Sequence, residues 1–207
     1  MLCRECLAQI EFLHAPFCPS CGGEYEGYLA VCPECVEHPA FSWDGAVCAC
    51  AMKGLLKELL HSFKYQRQPE LSRTLGDLAF LAAADRLPRV DCVVPVPLHW
   101  TRLLRRGFNQ SALIARRLSV HLGVPAENLL KRTRSTGQQS KLTGAERREN
   151  LSGAFSIKDL PKVKNRVILL TDDVMTTGAT LSEAASVLKK AGAEKVYVFA
   201  LAKRQRN

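Results

Sequence analysis

The chain contains no run of about 18 apolar residues, so no segment reads as a membrane-spanning helix. Its opening residues, MLCRECLAQIEF, lack the basic, apolar and small-residue order of an export signal, and a cytoplasmic location is expected. Internal repeats are absent apart from spaced cysteine pairs, as is any low-complexity tract. Basic residues are almost missing from the first 45 positions, where Arg4 stands against seven acids for a formal charge of −6. The whole chain carries +9, so the remainder holds +15. That asymmetry marks two physically different modules, placed at 1–43 and 44–207, and the larger one favours anions. Of the 207 residues 47% are hydrophobic, enough to bury a substantial core.

Nine cysteines without an export signal argue for reduced thiols and metal rather than disulfides. Cys3 and Cys6, Cys18 and Cys21, and Cys32 and Cys35 form three pairs with the two-residue gap of a metal knuckle. Two such pairs make a tetrahedral thiolate Zn2+ site, and a module of about forty residues needs such a staple. The expected ligands are Cys3, Cys6, Cys18 and Cys21, with Cys32 and Cys35 completing a rearranged site or left over. Cys48 and Cys50 alternate with Ala in AVCACAMKG and read as small core residues on one strand face. Cys92, at the head of CVVPVPL, reads as core too.

Beyond the boundary, strands and helices alternate. Strands are expected at 46–51, 91–94, 167–170 and 195–202, and helices at 53–63, 70–84, 109–122 and 179–191. A shorter strand pair is expected at 129–132 and 153–157. The order predicts an α/β fold, a mostly parallel twisted sheet flanked by helices, with a small N-terminal zinc ribbon.

Within that frame the richest stretch is VILLTDDVMTTGATL, Val167–Leu181. An apolar run ends in paired carboxylates, Asp172 and Asp173. A loop of Thr176, Thr177, Gly178, Ala179 and Thr180 then opens a helix. Gly178 lets backbone approach a ligand closely, and the helix N-terminus offers free N–H groups and a positive dipole end. Capping alone would account for one Thr. Paired acids at a strand's carboxyl end suit ribose hydroxyls or Mg2+. A sugar phosphate is the expected ligand, its phosphate in the loop and its sugar over the aspartates.

Two further segments favour anions. After VPVPL come Arg102, Arg105 and Arg106, then Gly107-Phe108-Asn109-Gln110, an arginine cluster suited to bidentate phosphate or pyrophosphate recognition. Lys131–Asn150, KRTRSTGQQSKLTGAERREN, is polar, basic and nearly free of apolar residues, and is read as a lid over the cleft. His61 and His99 have no named partner and are read as structural or surface residues.

The DDVMTTGAT segment resembles the phosphoribosyl pyrophosphate (PRPP) loop of type I phosphoribosyltransferases. That resemblance implies ribose binding by Asp172 and Asp173, and 5-phosphate binding by Thr176, Thr177, Gly178, Ala179 and Thr180. The cysteine pairs, HSFKYQ (His61–Gln66), VPVPL, RRGFNQS, RTRST with Gln139, RRENLSGAF (Arg147–Phe155) and DDVMTTGAT follow one another. In this order they are similar to the competence protein ComF family, which joins a zinc ribbon to a phosphoribosyltransferase-like domain. The resemblance implies structural Zn2+, Mg2+ with PRPP, and a part in handling single-stranded DNA during DNA uptake. A DNA-uptake helicase or another competence protein is the implied partner.

Two functions compete on these residues. As a binding module the chain would hold PRPP while basic surfaces follow a nucleic-acid backbone. Arg102–Arg106, Lys131–Arg134, Arg147–Arg148 and Lys203–Arg206 could form the track, and Phe63, Tyr65, Trp100 and Phe108 stacking surfaces. As an enzyme it would release pyrophosphate from PRPP and pass the ribosyl group to a base or amine. The transition state would be oxocarbenium-like. Arg105, Arg106, Arg132 and Arg147 are the candidates for the departing charge. After Gly192, KVYVFALAKRQRN runs into a basic tail, and nothing in it reads as a hood for recognising a base.

Overall fold

The computed structural model describes residues 2–37, 41–66, 68–134 and 153–204. Two short helices, α1 (Arg4–Ala8) and α2 (Pro33–Val36), fall in the cysteine-rich stretch, followed by β1 (Gly45–Ala51). Next come α3 (Gly54–Tyr65), α4 (Leu71–Leu81), β2 (Cys92–Pro95), α5 (Trp100–Arg106) and α6 (Gln110–Leu122). The chain continues through β3 (Leu130–Arg132), β4 (Phe155–Ile157), β5 (Val167–Met175), α7 (Ala179–Lys190) and β6 (Lys195–Lys203).

The apolar runs pair as a four-stranded parallel sheet in the order β1-β6-β5-β2. The period-two geometry of β5 sends its side chains alternately to two cores. Ile168 and Leu170 pack with Leu181, Ala184, Ala185 and Leu188 of α7. Leu169, with Phe199 and Leu201 of β6, meets Leu56, Leu60 and Phe63 of α3, Leu75 of α4, and Ile114 and Leu118 of α6. Helices on both faces explain why these strands read as unbroken apolar runs. The chain thus has the expected type I phosphoribosyltransferase-like architecture. β3 and β4 form a separate antiparallel ribbon, Leu130 opposite Ile157 and Arg132 opposite Phe155.

The N-terminal segment joins the sheet rather than hanging from it. The amide of Leu13 donates to the Ala49 carbonyl at 3.0 Å, and that of Ala51 to the Glu11 carbonyl at 2.8 Å. Leu13 is buried in the core with Trp43.

Three local readings change. The central strand does not stop at Leu170 but continues through both aspartates, because β6 offers partners as far as Lys203 opposite Met175. The arginine segment, expected only as a cluster with no element of its own, is a short helix, capped by His99 at its start and by left-handed Gly107 at its end. Cys48 and Cys50 are wholly buried, as core residues should be, but they pack into different cores. Cys92 is buried as expected. The Lys131–Asn150 reading falls largely outside the described residues, as do Gln139, Arg147, Arg148 and the end of the basic tail.

Phe199 is among the largest fully buried side chains and sits under three helices. Phe199→Ala is expected to lower the unfolding free energy by about 3–5 kcal/mol in urea denaturation followed by circular dichroism.

Candidate functional site

The parallel sheet gathers the carboxyl ends of β2 and β5 side by side, the place where ligands bind in open α/β folds. β5 delivers Asp172 and Asp173 there. Asp173 is buried and its Oδ2 lies 2.9 Å from Lys64 Nζ. Asp172 accepts from Ser111 Oγ at 2.6 Å and from the Asp173 amide at 2.9 Å. Burial and then the adjacent Asp173 carboxylate push the Asp172 carboxyl up to about 7, against the pull of Ser111 and Lys64.

The loop after β5 curls into α7. Thr176, Thr177, Gly178, Ala179 and Thr180 line one small concavity together with Asp172. Gly178 holds the left-handed φ of +74°, and a Cβ placed on it would lie 2.9 Å from both Phe41 Cε1 and Trp43 Cη2. Glycine is therefore required both by backbone conformation and by space. The amide of Ser182 donates to Gly178 O at 2.8 Å, closing the first turn of α7, and the Ala179 amide ahead of it donates to Thr177 Oγ1 at 3.5 Å.

Opposite the acids stands the arginine cluster. Arg102 and Arg106, one helical turn apart on α5, are half-buried, whereas Arg105 points to solvent. Arg106 donates to Gln110 Oε1 at 3.1 Å and lies over the Tyr65 ring at 5.2 Å. Burial, then Arg106 and Arg105, depress the Arg102 guanidinium. Burial and the neighbouring Arg102 push Arg132 down to about 10, with Asp172 opposing. Like charges held together at partial burial form a site that gains by taking an anion. Of the expected pyrophosphate residues the fold brings Arg102 and Arg106 together half-buried and adds Arg132 from β3, while Arg105 is exposed.

Sequence reasoning missed Lys64 and Ser111. Lys64 lies inside HSFKYQ and Ser111 closes RRGFNQS, but neither spacing reveals which strand end the side chain meets. His99 is structural: its Nδ1 accepts from the Thr101 amide at 3.4 Å. Phe63 is fully buried and offers no stacking face, whereas Phe108 packs on it at 5.3 Å between centroids but stays half-buried.

The cysteine quartet differs from expectation. The fold gathers Cys18, Cys21, Cys32 and Cys35, whose sulfurs all lie within 4.8 Å of one another. Cys3 is exposed at the N-cap of α1, where its sulfur accepts from the Cys6 amide, and neither residue joins that quartet. The pair at 32–35 takes their place because the 18–21 knuckle folds against it and not against α1. Cys18 and Cys35 sulfurs are 3.9 Å apart and those of Cys21 and Cys32 3.7 Å. Tetrahedral zinc at a Zn–S distance of about 2.3 Å separates its sulfurs by about 3.8 Å, so the four residues fit a structural zinc. Burial raises the Cys18 thiol, but backbone donors at Cys32, Cys21 and Ser20 outweigh it and bring it down to about 7. Burial pushes Cys32 up to about 11. Buried Lys203 adds positive charge beside Cys21. When bound, zinc would supply the cross-link between the two knuckles.

A family model described as the phosphoribosyl transferase domain matches residues 103–207. The chain is 37% identical to Competence protein F of Haemophilus influenzae over 98% of this chain and 90% of that protein. It is 35% identical to DNA utilization protein YhgH of Escherichia coli over 89% and 82%. It is also 25% identical to Competence protein ComFC of Streptococcus pneumoniae over 97% and 86%.

Metal analysis of purified protein is expected to find about one zinc per chain. Cys18→Ser or Cys32→Ser should abolish it and lower the melting temperature, whereas Cys3→Ser with Cys6→Ser should leave metal content unchanged. Zinc lost from that last variant would return the site to the first two pairs.

Proposed function

Because this chain belongs to the competence protein F family, we propose that it binds PRPP, or a related sugar phosphate, while handling incoming DNA. The observation that carries the first half is the acid pair at the end of β5 running into the left-handed Gly178 turn that opens α7, with Asp172 and Thr176 to Thr180 lining one concavity. In this reading Asp172 and Asp173 accept from the ribose hydroxyls. The loop from Thr176 to Thr180 and the first turn of α7 take the 5-phosphate. Arg102, Arg106 and Arg132 then hold the pyrophosphate, relieving their own repulsion. Hard carboxylate oxygens at this position fit Mg2+, which would arrive with the pyrophosphate and neutralise part of its charge. A pyrophosphate-releasing transferase would use these same contacts, and turnover that depends on an added base or amine would identify it.

Relatives named for competence and for DNA utilization support the second half. So does a groove of about 440 Å³ between α5, α6 and the β3–β4 ribbon. Trp100, 63% exposed, and Leu103 give it an apolar wall. Arg116, Lys131, Arg132 and Lys158 give it four cations, and among the described residues no carboxylate lines it. Cations beside an exposed indole suit a strand whose phosphates need charge and whose unpaired bases need a stacking face. A DNA-uptake helicase or another competence protein would deliver that strand.

The sign of the pH dependence follows from Asp172. A carboxyl raised from 3.8 to about 7 by folding costs stability as pH climbs through that window. Ligand binding has the opposite sign, because the ionised form accepts the ribose hydroxyls. The melting-temperature rise caused by Mg2+ and PRPP is expected to grow between pH 6 and pH 8. Asp172→Asn should abolish that rise yet stabilise the free protein at pH 8 by about 1–3 kcal/mol. A wild-type protein whose melting does not respond to PRPP at either pH would refute the binding claim.

For DNA, a fluorescent oligo-dT should bind with a steep salt dependence, and Trp100→Ala should weaken it about 5- to 100-fold. Full-strength binding by Trp100→Ala would move the strand away from this groove.

A further inference from the structure

The two sites are joined by one side chain. Trp43 lies in the segment that leads from the cysteine quartet into β1. Its indole Nε1–H donates to the carbonyl of Ser20 at 2.8 Å, inside the Cys18–Cys21 knuckle. The far edge of the same ring meets the phosphate loop, where Cη2 would stand 2.9 Å from a Cβ on Gly178. Phe41 stacks on it at 4.1 Å between centroids with planes 11° apart, and touches the same point of Gly178. Between the two rings, Ser42 ties the segment to α7, its amide donating to Ser182 Oγ at 3.2 Å.

Every link in this chain is stiff. The knuckle cannot rise off the sheet freely, because a Cβ on Gly22 would lie 2.8 Å from Ala46 O and because Cys48 Sγ donates to Cys21 O at 3.4 Å. The Trp43 ring cannot turn without losing the Ser20 carbonyl or striking Phe41. Gly178 has nowhere to retreat, since its left-handed backbone is what starts α7. Packed contacts of this kind have few alternative arrangements, so a displacement at one end is passed on rather than absorbed.

We propose that Trp43 is a positioning residue that couples metal occupancy of the Cys18–Cys21–Cys32–Cys35 quartet to the shape of the sugar-phosphate loop. The metal holds the knuckle closed, the closed knuckle presents Ser20 O, and Trp43 anchored there supports Gly178 in its phosphate-accepting conformation. Loss of the metal frees Ser20 and lets the aromatic pair slide, and the loop loses its floor. The coupling rests on the reading of that loop as a PRPP site. It gives the small module a task beyond its own stability, and it makes phosphate binding sensitive to zinc and to thiol oxidation.

Linkage requires the coupling to be reciprocal: whatever factor zinc adds to PRPP affinity, PRPP adds to zinc affinity. The test uses the full chain with Zn2+ and Mg·PRPP as probes. PRPP affinity is measured by calorimetry in zinc-loaded and chelator-stripped protein. Release of zinc to a chromophoric chelator is measured with and without PRPP. The wild type is expected to bind PRPP about five- to tenfold more weakly without zinc and to lose zinc correspondingly more readily without PRPP. Trp43→Phe keeps an aromatic ring beside Phe41 but removes both the N–H to Ser20 and the far ring edge that meets Gly178, so it cuts the link at both ends. It should still bind both ligands, with the two affinities independent of each other. Equal PRPP affinity in loaded and stripped wild type, or coupling undiminished in Trp43→Phe, overturns the proposal while leaving the PRPP site standing. Failure of zinc-loaded wild type to bind PRPP removes both. If stripped protein unfolds, the zinc-release rates alone decide, because PRPP must then slow release in the wild type more than in Trp43→Phe.

Discussion

The pairing of β5 with β6 is the constraint on which the rest of the molecule depends. Eight matched positions run from Val167 opposite Lys195 to Met175 opposite Lys203. The apolar part of that ladder drives the pairing through burial on both faces, at roughly 25 cal/mol for each Å² of apolar surface removed from water. Its continuation beyond Leu170 has a different consequence. Polar residues that would otherwise sit in a loop are held in strand geometry, with Asp172 opposite Ala200. The aspartates are thereby fixed in direction, one toward Ser111 and the other toward Lys64.

The far end of the same ladder sets the spacing of the two candidate sites. Met175 leads into the phosphate loop, and Lys203, its partner in register, is buried beside Cys21. Lys203 also meets the knuckle through Gly23, where a Cβ would collide with its side chain at Cε. With zinc bound, four thiolates would carry excess negative charge, and Lys203, which also pairs with Glu34 at 3.9 Å, would offset it. The cysteine-rich stretch, acidic by composition, is thus matched to a sheet whose end is basic.

The strand-end site keeps its charges in tension. Arg102 and Arg132 repel each other at partial burial, and Asp172 is held near neutrality by its own surroundings. Functional sites are where perturbed titrations of this kind gather. Asp173 differs in its partner, since Lys64 Nζ lies 2.9 Å from its Oδ2 whereas Asp172 accepts from Ser111 Oγ.

Periodicity and composition by themselves determined the alternation of strands and helices, the two-faced sheet and the glycine turn between β5 and α7, because these rest on local patterns. The run at Val167–Leu170, Gly178 before an amphipathic helix, and Gly107 and Asn109 bracketing a helix boundary each act within a few residues. Tertiary structure alone decided which cysteines meet. Three pairs with identical spacing are equivalent on paper, and only the folding of the 18–21 knuckle onto 32–35 separates them from Cys3 and Cys6. It also decided that Lys64, 109 positions before Asp173, would be that residue's counter-ion, and that Arg132 from β3 would come within electrostatic reach of Arg102. Spacing along a chain encodes what neighbours in sequence can do. Contacts made across a sheet depend on which strands pair and in what register, and that is fixed only when the whole core is buried at once.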